Sequence, residues 1–329
     1  MERRMSQLPV QPERAKLSVI FSFYNEEGNI PEAVNRLTAI LSEEVGKKNL
    51  GDFELIFVDD DSHDQSATIL ADFAEKDKRV KVIRMARNFG HDVCALAGFE
   101  FCTGDLAVYL DADLQDPPEL IPDMLRIWRE KNTDVIHTVR TSREGEPWLK
   151  LMITKIGYAI LRKFSRVQLE SNCGDFKLIS RRALNEILKF REVNPFMRGI
   201  VTFVGFRQEK LYYVRKPRFA GVSSMPVLSN RVVSFFLDSA LISFSDVPLK
   251  LVIMAGFTIF YLSILMVVYV LVERYLGHVV PGWSGIMIAV FLLGGIQMVS
   301  MGVIGLYLNS IFLEVKRRPQ YIVESKTNF

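Results

Sequence analysis

Two long apolar segments near the end of the chain constrain its architecture more than any other feature. Residues 251–272 and 286–308 contain 22 and 23 consecutive residues without a charged side chain. A helix rises about 1.5 Å per residue, so each segment would reach about 33 Å, which is enough to cross a hydrocarbon core of about 30 Å. The sequence therefore predicts two transmembrane helices, at about 251–272 and 286–308, within residues 249–310.

Basic residues flank the two predicted spans on one side. Lys250 precedes the first span and Lys316, Arg317 and Arg318 follow the second, whereas the connecting loop carries only Arg274. Lys and Arg concentrate on the cytoplasmic side of membrane proteins. We therefore expect a multi-pass protein of the cytoplasmic (inner) membrane, with the preceding domain, the tail over residues 311–329 and both termini in the cytosol.

The chain ahead of the spans has an uneven charge. Residues 1–140 carry a net charge of −9, whereas residues 141–250 carry one of +10. A basic stretch next to a membrane attracts anionic headgroups and phosphates. Within it, residues 229–248 predict a juxtamembrane amphipathic helix. Residues 147–166 have a similar pattern, which fits either an interfacial helix or one that packs on the soluble domain.

Residues 1–16 predict a disordered lead, and from residue 17 to residue 228 strand-like and helix-like segments alternate. Apolar runs predict buried strands at residues 17–23, 53–58, 80–85, 106–110 and 134–139. Helical patterns lie between them at residues 30–45, 66–76, 92–102 and 118–131. This alternation is typical of an α/β fold, with a mostly parallel sheet and helices on both faces. Such sheets bind ligands at the carboxyl ends of their strands.

The fourth predicted strand ends in two carboxylates. Asp111 and Asp113 are separated by one residue, and a Pro-Pro helix start follows. Two like charges this close disfavour each other unless a cation joins them. Mg²⁺ and Mn²⁺ bind through carboxylates and substrate phosphates, so this strand end predicts a divalent metal site. Asp-x-Asp is also common in turns, and only its position at a strand end favours the metal.

Polar side chains also follow the first three predicted strands: Tyr24, Asn25 and Glu26, then Asp59, then Arg87 and Asn88. The GxGxxG and GxxxxGK[ST] motifs are absent, which argues against a dinucleotide fingerprint and a Walker phosphate loop. Acidic strand ends can instead accept hydrogen bonds from a base or a ribose. The nearby His91 is a single histidine, which is more often packed or solvated than catalytic.

Seven segments together resemble glycosyltransferase family 2. They are LSVIFSFYNEEGNI, FVDDDSHDQS, RNFGHDVCALAGFEFCTGD, DADLQDPPELI, GDFKLISRRA, FMRGIVTFVGF and SFSDVPLK with its two following spans. From about residue 17 to residue 319 they are most similar to the polyprenyl-phosphate glycosyltransferases, the bactoprenol glucosyltransferase and dolichol-phosphate mannose synthase group. The resemblance implies a cytosolic GT-A domain over residues 17–228, a nucleotide-diphosphate sugar donor, a divalent metal and inversion at the anomeric carbon.

The resemblance also implies roles for single residues. Those implied for the nucleotide sugar are Tyr24, Asn25, Glu26, Asp59, Arg87, Asn88, Asp111 and Gln115. The implied metal ligands are Asp111 and Asp113, and the implied catalytic residues are Asp175, Asp113 and Arg198. The residues implied for the phosphates of donor and acceptor are Lys177, Arg198, Arg215 and Arg218. Two positions depart from the family pattern, since Asp61 replaces a glycine and Lys177 stands where arginine is common.

The expected reaction transfers a sugar from UDP-glucose or another UDP-hexose to membrane polyprenyl (undecaprenyl) phosphate, for modification of envelope glycans. The alternative is the same reaction with GDP-mannose or an aminosugar nucleotide as the donor. A processive polysaccharide synthase would carry a Gln-x-x-Arg-Trp motif, which is absent. A third alternative is a non-catalytic membrane protein that binds nucleotide sugars.

Two further expectations concern the acceptor and the partners. A phosphomonoester is mostly dianionic at neutral pH, so it is already a nucleophile, and we expect Asp175 mainly to orient the acceptor or stabilise the sugar cation. No nucleic-acid partner is expected. Small residues in the second span, Gly294, Gly295, Gly302 and Gly305, would permit a homo-oligomer or packing against the first span.

Overall fold

The computed structural model describes residues 12, 14–111, 114–141, 173–193, 195–214, 247–277 and 282–329. The described residues belong to two compact units. One holds the residues up to 214 together with 319–329, and the other holds residues 247–318. The predicted interfacial segment at residues 147–166 lies outside the described residues, as do all but the last two residues of the predicted helix at 229–248 and residues 1–11 of the predicted lead.

The first unit begins with alternating strands and helices. In chain order these are β1 (Lys16–Phe23), α1 (Ile30–Gly46), β2 (Asp52–Asp59), α2 (Ser66–Lys76), β3 (Val80–Met85), α3 (His91–Phe101), β4 (Leu106–Asp111), α4 (Ile121–Lys131, after a 3₁₀ turn at Pro118–Leu120) and β5 (Val135–Arg140). All nine were predicted from the sequence. The elements that follow were not: β6 (Cys173–Ser180), α5 (Arg181–Ile187), α6 (Met197–Phe203), β7 (Gln208–Tyr213) and, at the end of the chain, β8 (Val323–Thr327).

The described strands form one eight-stranded sheet in the order β7-β5-β6-β4-β1-β2-β3-β8. β1 pairs in parallel with β2 and β4, β2 with β3, and β5 with β7. β6 is antiparallel to β4 and β5, and β8 is antiparallel to β3. The prediction of an α/β fold with a mostly parallel sheet is therefore confirmed. Because β6 is antiparallel, its first residues lie at the same edge as the carboxyl ends of β1 to β4.

The core lies around the central strands. β1 and β2 are buried at seven of their eight positions, as expected for strands covered on both faces. Phe21 of β1 stacks on Phe57 of β2 with ring centroids 4.9 Å apart. α3 packs so closely on β1 that a Cβ atom at Gly98 would lie 2.2 Å from Ile20 Cγ2, so this position requires glycine.

The second unit consists, in its described part, of helices α7 (Val247–Tyr275) and α8 (Trp283–Val315). Both predicted spans are therefore helical. Their described apolar side chains are largely exposed, including Leu265 and Met298. By length and composition, one described segment, Leu292–Val315 in α8, is apolar enough to cross a membrane, and α7 contributes the shorter stretch Val252–Met266. A membrane crossing by α7 stays a prediction.

The last residues of the chain return to the first unit. β8 lies beside β3, and the Asn328 amide donates hydrogen bonds to the carbonyl oxygens of Ala74 at 2.6 Å and Val80 at 2.8 Å. The Phe329 ring meets Phe101 edge to face, with centroids 5.8 Å apart. The segment predicted only as a cytosolic tail is therefore an integral edge strand of the sheet.

Candidate active site

Three acidic residues lie at one edge of the sheet. Asp59 ends β2, Asp111 ends β4, and Asp175 is the third residue of the antiparallel β6. The register places Ser22 of β1 opposite Asp111, and Tyr109 of β4 opposite Lys177 of β6, so Asp111 and Asp175 lie at the same level. This is the edge at which the sequence predicted a ligand site.

Asp111 contacts His91, the first residue of α3. Asp111 Oδ1 lies 2.5 Å from His91 Nε2. The Tyr109 hydroxyl oxygen lies 2.8 Å from His91 Nδ1 and 3.0 Å from Nε2, and 2.6 Å from the Ser22 hydroxyl. Burial by itself would lower the pKa of His91, but the nearby carboxylates, with Asp111 foremost, raise it. Sequence reasoning assigned His91 no role; its place directly after Arg-Asn-Phe-Gly was the only signal.

Asp175 and Arg198 form a bidentate ion pair. Arg198 Nε donates a hydrogen bond to Asp175 Oδ1 at 2.8 Å, and Arg198 Nη2 donates to Oδ2. Asp175 is buried, and burial alone would raise its pKa, but the Arg198 guanidinium holds the pKa well below its usual range. Asp175 is therefore ionised with both oxygens bound, which makes it a weak base.

The edge of the sheet that carries Asp59, Asp111 and Asp175, called the acidic edge below, can hold a metal ion. Donor atoms of His91, Asp111 and Asp175 all lie within 4.8 Å of one another. Carboxylate oxygen and imidazole nitrogen both bind divalent cations, so the donor set fits such an ion. The predicted second carboxylate, Asp113, lies outside the described residues, as do Arg215 and Arg218.

Two further charged residues, Asp92 and Lys177, lie beside this cluster. Asp92 follows His91 in α3, and burial raises its pKa to about 6. Lys177 is only 2 % exposed, and its positive charge lowers the pKa of both Asp92 and Asp175. A role for Lys177 in phosphate binding stays a prediction.

Asp59 presents a buried atom with unused hydrogen-bonding capacity. Its Oδ1 accepts a hydrogen bond from the Ser62 backbone N–H at 2.8 Å, whereas its Oδ2 is buried and has no hydrogen-bond partner among the described residues. Burial raises the pKa of Asp59. An oxygen of this kind fits an N–H or O–H group supplied by a ligand, as predicted for a base or ribose.

The loops after β1 and β2 are tied to each other. The Asn25 backbone N–H donates to the Ser62 hydroxyl at 2.9 Å, and the His63 backbone N–H donates to Asn25 Oδ1 at 2.9 Å. Asn25 and Asp61 both have positive φ, at 55° and 63°. Beside this junction lies a cavity of about 530 Å³ whose lining includes Asn25, Glu26 and His63, and the half-exposed Tyr24 meets the His63 ring edge to face.

Asp60 orders the loop that leads into α3, a role the sequence analysis missed. Its carboxylate accepts hydrogen bonds from the Phe89 N–H at 2.7 Å and the Gly90 N–H at 2.9 Å, and its carbonyl accepts from Asn88 Nδ2 at 3.3 Å. Gly90 has φ +95°, which favours glycine. Arg87 is exposed and stacks over Phe89 at 4.4 Å.

A buried polar cluster behind the site was also missed. Asp116 and Tyr213 are buried, and Arg140 lies between them. Arg140 Nη2 donates to Asp116 Oδ2 at 3.1 Å, Arg140 Nε donates to the Tyr213 hydroxyl oxygen at 3.0 Å, and that hydroxyl donates to Asp116 Oδ1. The cluster ties the loop that contains Gln115 to the ends of β5 and β7.

Comparison with known proteins identifies the family. A profile of glycosyl transferase family 2 matches residues 18–188. An uncharacterized glycosyltransferase of Bacillus subtilis is 37% identical over 310 residues, which cover 93% of each chain, and one of Synechocystis is 35% identical over 309 residues, 94% of each chain. The bactoprenol glucosyl transferase of Shigella phage SfX is 31% identical over 315 residues, 94% of this chain and 99% of the relative. The chain is therefore a glycosyltransferase, and it belongs to glycosyltransferase family 2.

Proposed function

We propose that the protein transfers a sugar, with inversion, from UDP-glucose or another UDP-hexose to membrane polyprenyl phosphate. The observation that carries the chemistry is the ionised, arginine-bound Asp175 beside the metal-type cluster of Asp111 and His91. The lipid acceptor is supported by the relatives named as bactoprenol glucosyl transferases, which align over nearly the whole chain.

The donor would lie along the acidic edge. Asp59 Oδ2, buried at the end of β2, would accept a hydrogen bond from the base or the ribose. A divalent metal held by Asp111 and Asp113 would supply positive charge to the departing diphosphate. Arg198, fixed in direction by Asp175, would present its guanidinium group to a phosphate oxygen.

The acceptor requires little proton transfer. A lipid phosphate is mostly dianionic at neutral pH, so it can attack the anomeric carbon without a strong base. Asp175 suits this reaction because its low pKa keeps it negatively charged. In the proposed mechanism it orients Arg198 and stabilises the positive charge that develops on the sugar ring.

The position of β8 supports a topology with both ends on one side of the membrane. β8 follows α8 in the chain but pairs with β3, which precedes α7. A single crossing would leave the two strands on opposite sides of the bilayer. If α8 crosses the membrane, a second crossing must therefore lie between residues 214 and 283, and α7 is the apolar helix that the structure describes in that interval. The basic flanks support a cytosolic location for both ends.

A transfer assay tests the proposal. Full-length protein in detergent is incubated with polyprenyl phosphate, Mn²⁺ or Mg²⁺, and labelled UDP- and GDP-sugars, and label is measured in the organic phase. We expect transfer from a UDP-hexose, lost in Asp113→Ala and reduced less in Asp175→Asn. Glu43→Gln replaces an exposed, remote carboxylate and serves as the matched control.

Each outcome has a distinct meaning. Transfer from GDP-mannose alone would contradict the donor but keep the reaction. Metal-dependent binding of a nucleotide sugar without transfer to any lipid would contradict catalysis and favour a binding protein. Equal collapse of Asp175→Asn and Asp113→Ala, with unchanged folding and donor binding, would contradict the role given to Asp175.

A further inference from the structure

We propose that His91 binds the donor metal together with Asp111, which gives a mixed nitrogen and oxygen site that favours Mn²⁺ over Mg²⁺. The inference rests on the proposed function, because it concerns the metal that this reaction uses. It adds a ligand outside the Asp-x-Asp segment and a reason for metal preference.

The imidazole of His91 faces the Asp111 carboxylate. His91 Nε2 lies 2.5 Å from Asp111 Oδ1, so one proton joins the two atoms, and a divalent ion bound here would replace that proton and take both atoms as neighbouring ligands once they move slightly apart. The Tyr109 hydroxyl lies 2.8 Å from Nδ1 and 3.0 Å from Nε2 and is itself hydrogen-bonded to Ser22. Metal-binding histidines are commonly held in this way, with the second nitrogen fixed by a protein group.

The His91 ring is held in position without a metal. The Asp60 carboxylate holds the Gly90 N–H, and Gly90 takes the positive φ that starts α3 at His91. The ring then packs edge to face on Tyr109, with centroids 5.3 Å apart. The His91 side chain stays 38 % exposed and that of Asp111 24 % exposed, so a solvated ion can reach both.

The other donor in the cluster, Asp175, is already bound. It lies within 4.8 Å of both atoms, but Arg198 holds both of its oxygens. Asp175 therefore contributes negative charge, and among the described members of this cluster His91 is the group that can add a donor atom beside Asp111. Mg²⁺ prefers oxygen ligands, whereas transition-metal ions also bind imidazole nitrogen. A nitrogen ligand therefore favours Mn²⁺ over Mg²⁺.

Pulsed electron paramagnetic resonance of bound Mn²⁺ tests this directly. Full-length protein in detergent is loaded with Mn²⁺ and UDP, and the echo modulation from directly bound nitrogen is recorded. We expect a ¹⁴N modulation that changes to the ¹⁵N pattern when the histidines are ¹⁵N-labelled. The signal should be lost in His91→Gln and kept in the control His278→Gln, which alters the predicted loop between the two spans. The affinity for Mn²⁺ in His91→Gln should fall at least about tenfold, and that for Mg²⁺ less.

A wild-type spectrum without nitrogen modulation is enough to overturn the inference, so that outcome does not depend on how the variant folds. Bound Mn²⁺ with oxygen ligands only would show that His91 merely donates a hydrogen bond to Asp111, and would overturn the inference while leaving the proposed function intact. Nitrogen modulation that survives in His91→Gln would also overturn it. If Mn²⁺ does not bind and transfer is absent, the proposed function fails with it.

Discussion

Glu54 tests whether the end of the strands opposite the acidic edge contributes to the stability of the fold and not to sugar transfer. It lies in β2, towards the end opposite the acidic edge, and is 1 % exposed. Its Oε1 accepts hydrogen bonds from the Ser18 hydroxyl at 2.6 Å and the Thr103 N–H at 2.7 Å. Its Oε2 lies 2.9 Å from Lys81 Nζ and 3.2 Å from Lys16 Nζ. One carboxylate thus links β1, β2, β3 and the start of β4.

The pKa of Glu54 gives the size of this contribution. Burial alone would raise the pKa, but the hydrogen bonds and the two lysines lower it from 4.5 to about 2. Each pKa unit corresponds to about 1.4 kcal/mol, so the ionised group adds about 3 kcal/mol to the free energy of unfolding. Because the folded-state pKa is depressed, this contribution is complete above pH 4.5 and is lost as the pH falls towards 2. Glu54→Gln should remove it at pH 7.

Urea unfolding of the full-length protein in detergent measures the effect. Trp128 is buried in α4 and reports on the first unit once Trp148 and Trp283 are replaced by Phe. We expect Glu54→Gln to lose about 3 kcal/mol at pH 7 and to show a shallower decline below pH 4.5. Sugar transfer per folded molecule should stay unchanged. A variant as stable as the parent at pH 7, with the same pH dependence, would refute the reasoning.

Three further substitutions test particular contacts. Asp61→Gly should raise the thermal unfolding midpoint slightly, because it removes a non-glycine residue at φ +63°; a lower midpoint would contradict this. Gly98→Ala should lower the midpoint by several degrees, since the added Cβ would meet Ile20 Cγ2 at 2.2 Å, and it should lower the midpoint less in an Ile20→Ala background, which lacks Cγ2. Tyr213→Phe leaves Asp116 without one hydroxyl donor and should cost about 1–3 kcal/mol in urea unfolding, a loss that would be absent if solvent replaced the contact.

The alternating part of the fold could be predicted because local signals suffice there. Runs of apolar residues mark β1 to β5, and amphipathic patterns mark the helices between them. β8 has no such signal, since its sequence VESKT is mostly exposed and polar. Its place is fixed by pairing with β3, more than two hundred residues earlier, and no local pattern carries that information.

The residues of the candidate site also divide into those that local sequence patterns predict and those that they do not. The strand ends Asp59 and Asp111 could be predicted, because parallel strands bring their carboxyl ends to one edge. Asp175 and Arg198 came from the family resemblance, and the structure shows them paired. The position of His91 depends on how α3 packs against β4, which only the tertiary structure fixes.

The hydrogen bonding at the two ends of the strands separates structure from function. At one end, both oxygens of Glu54 are matched by protein donors, so the network is complete without a ligand. At the other end, Asp59 has a buried oxygen with no partner among the described residues, and His91 Nε2 lies 2.5 Å from Asp111 Oδ1. Buried polar groups in folded proteins are normally satisfied, so a ligand donor could complete the hydrogen bonding of Asp59. In the proposed function a nucleotide would supply that donor, and a divalent ion would bind beside His91 and Asp111. The proposed function therefore uses the end of the strands at which the hydrogen bonding of the described residues is incomplete.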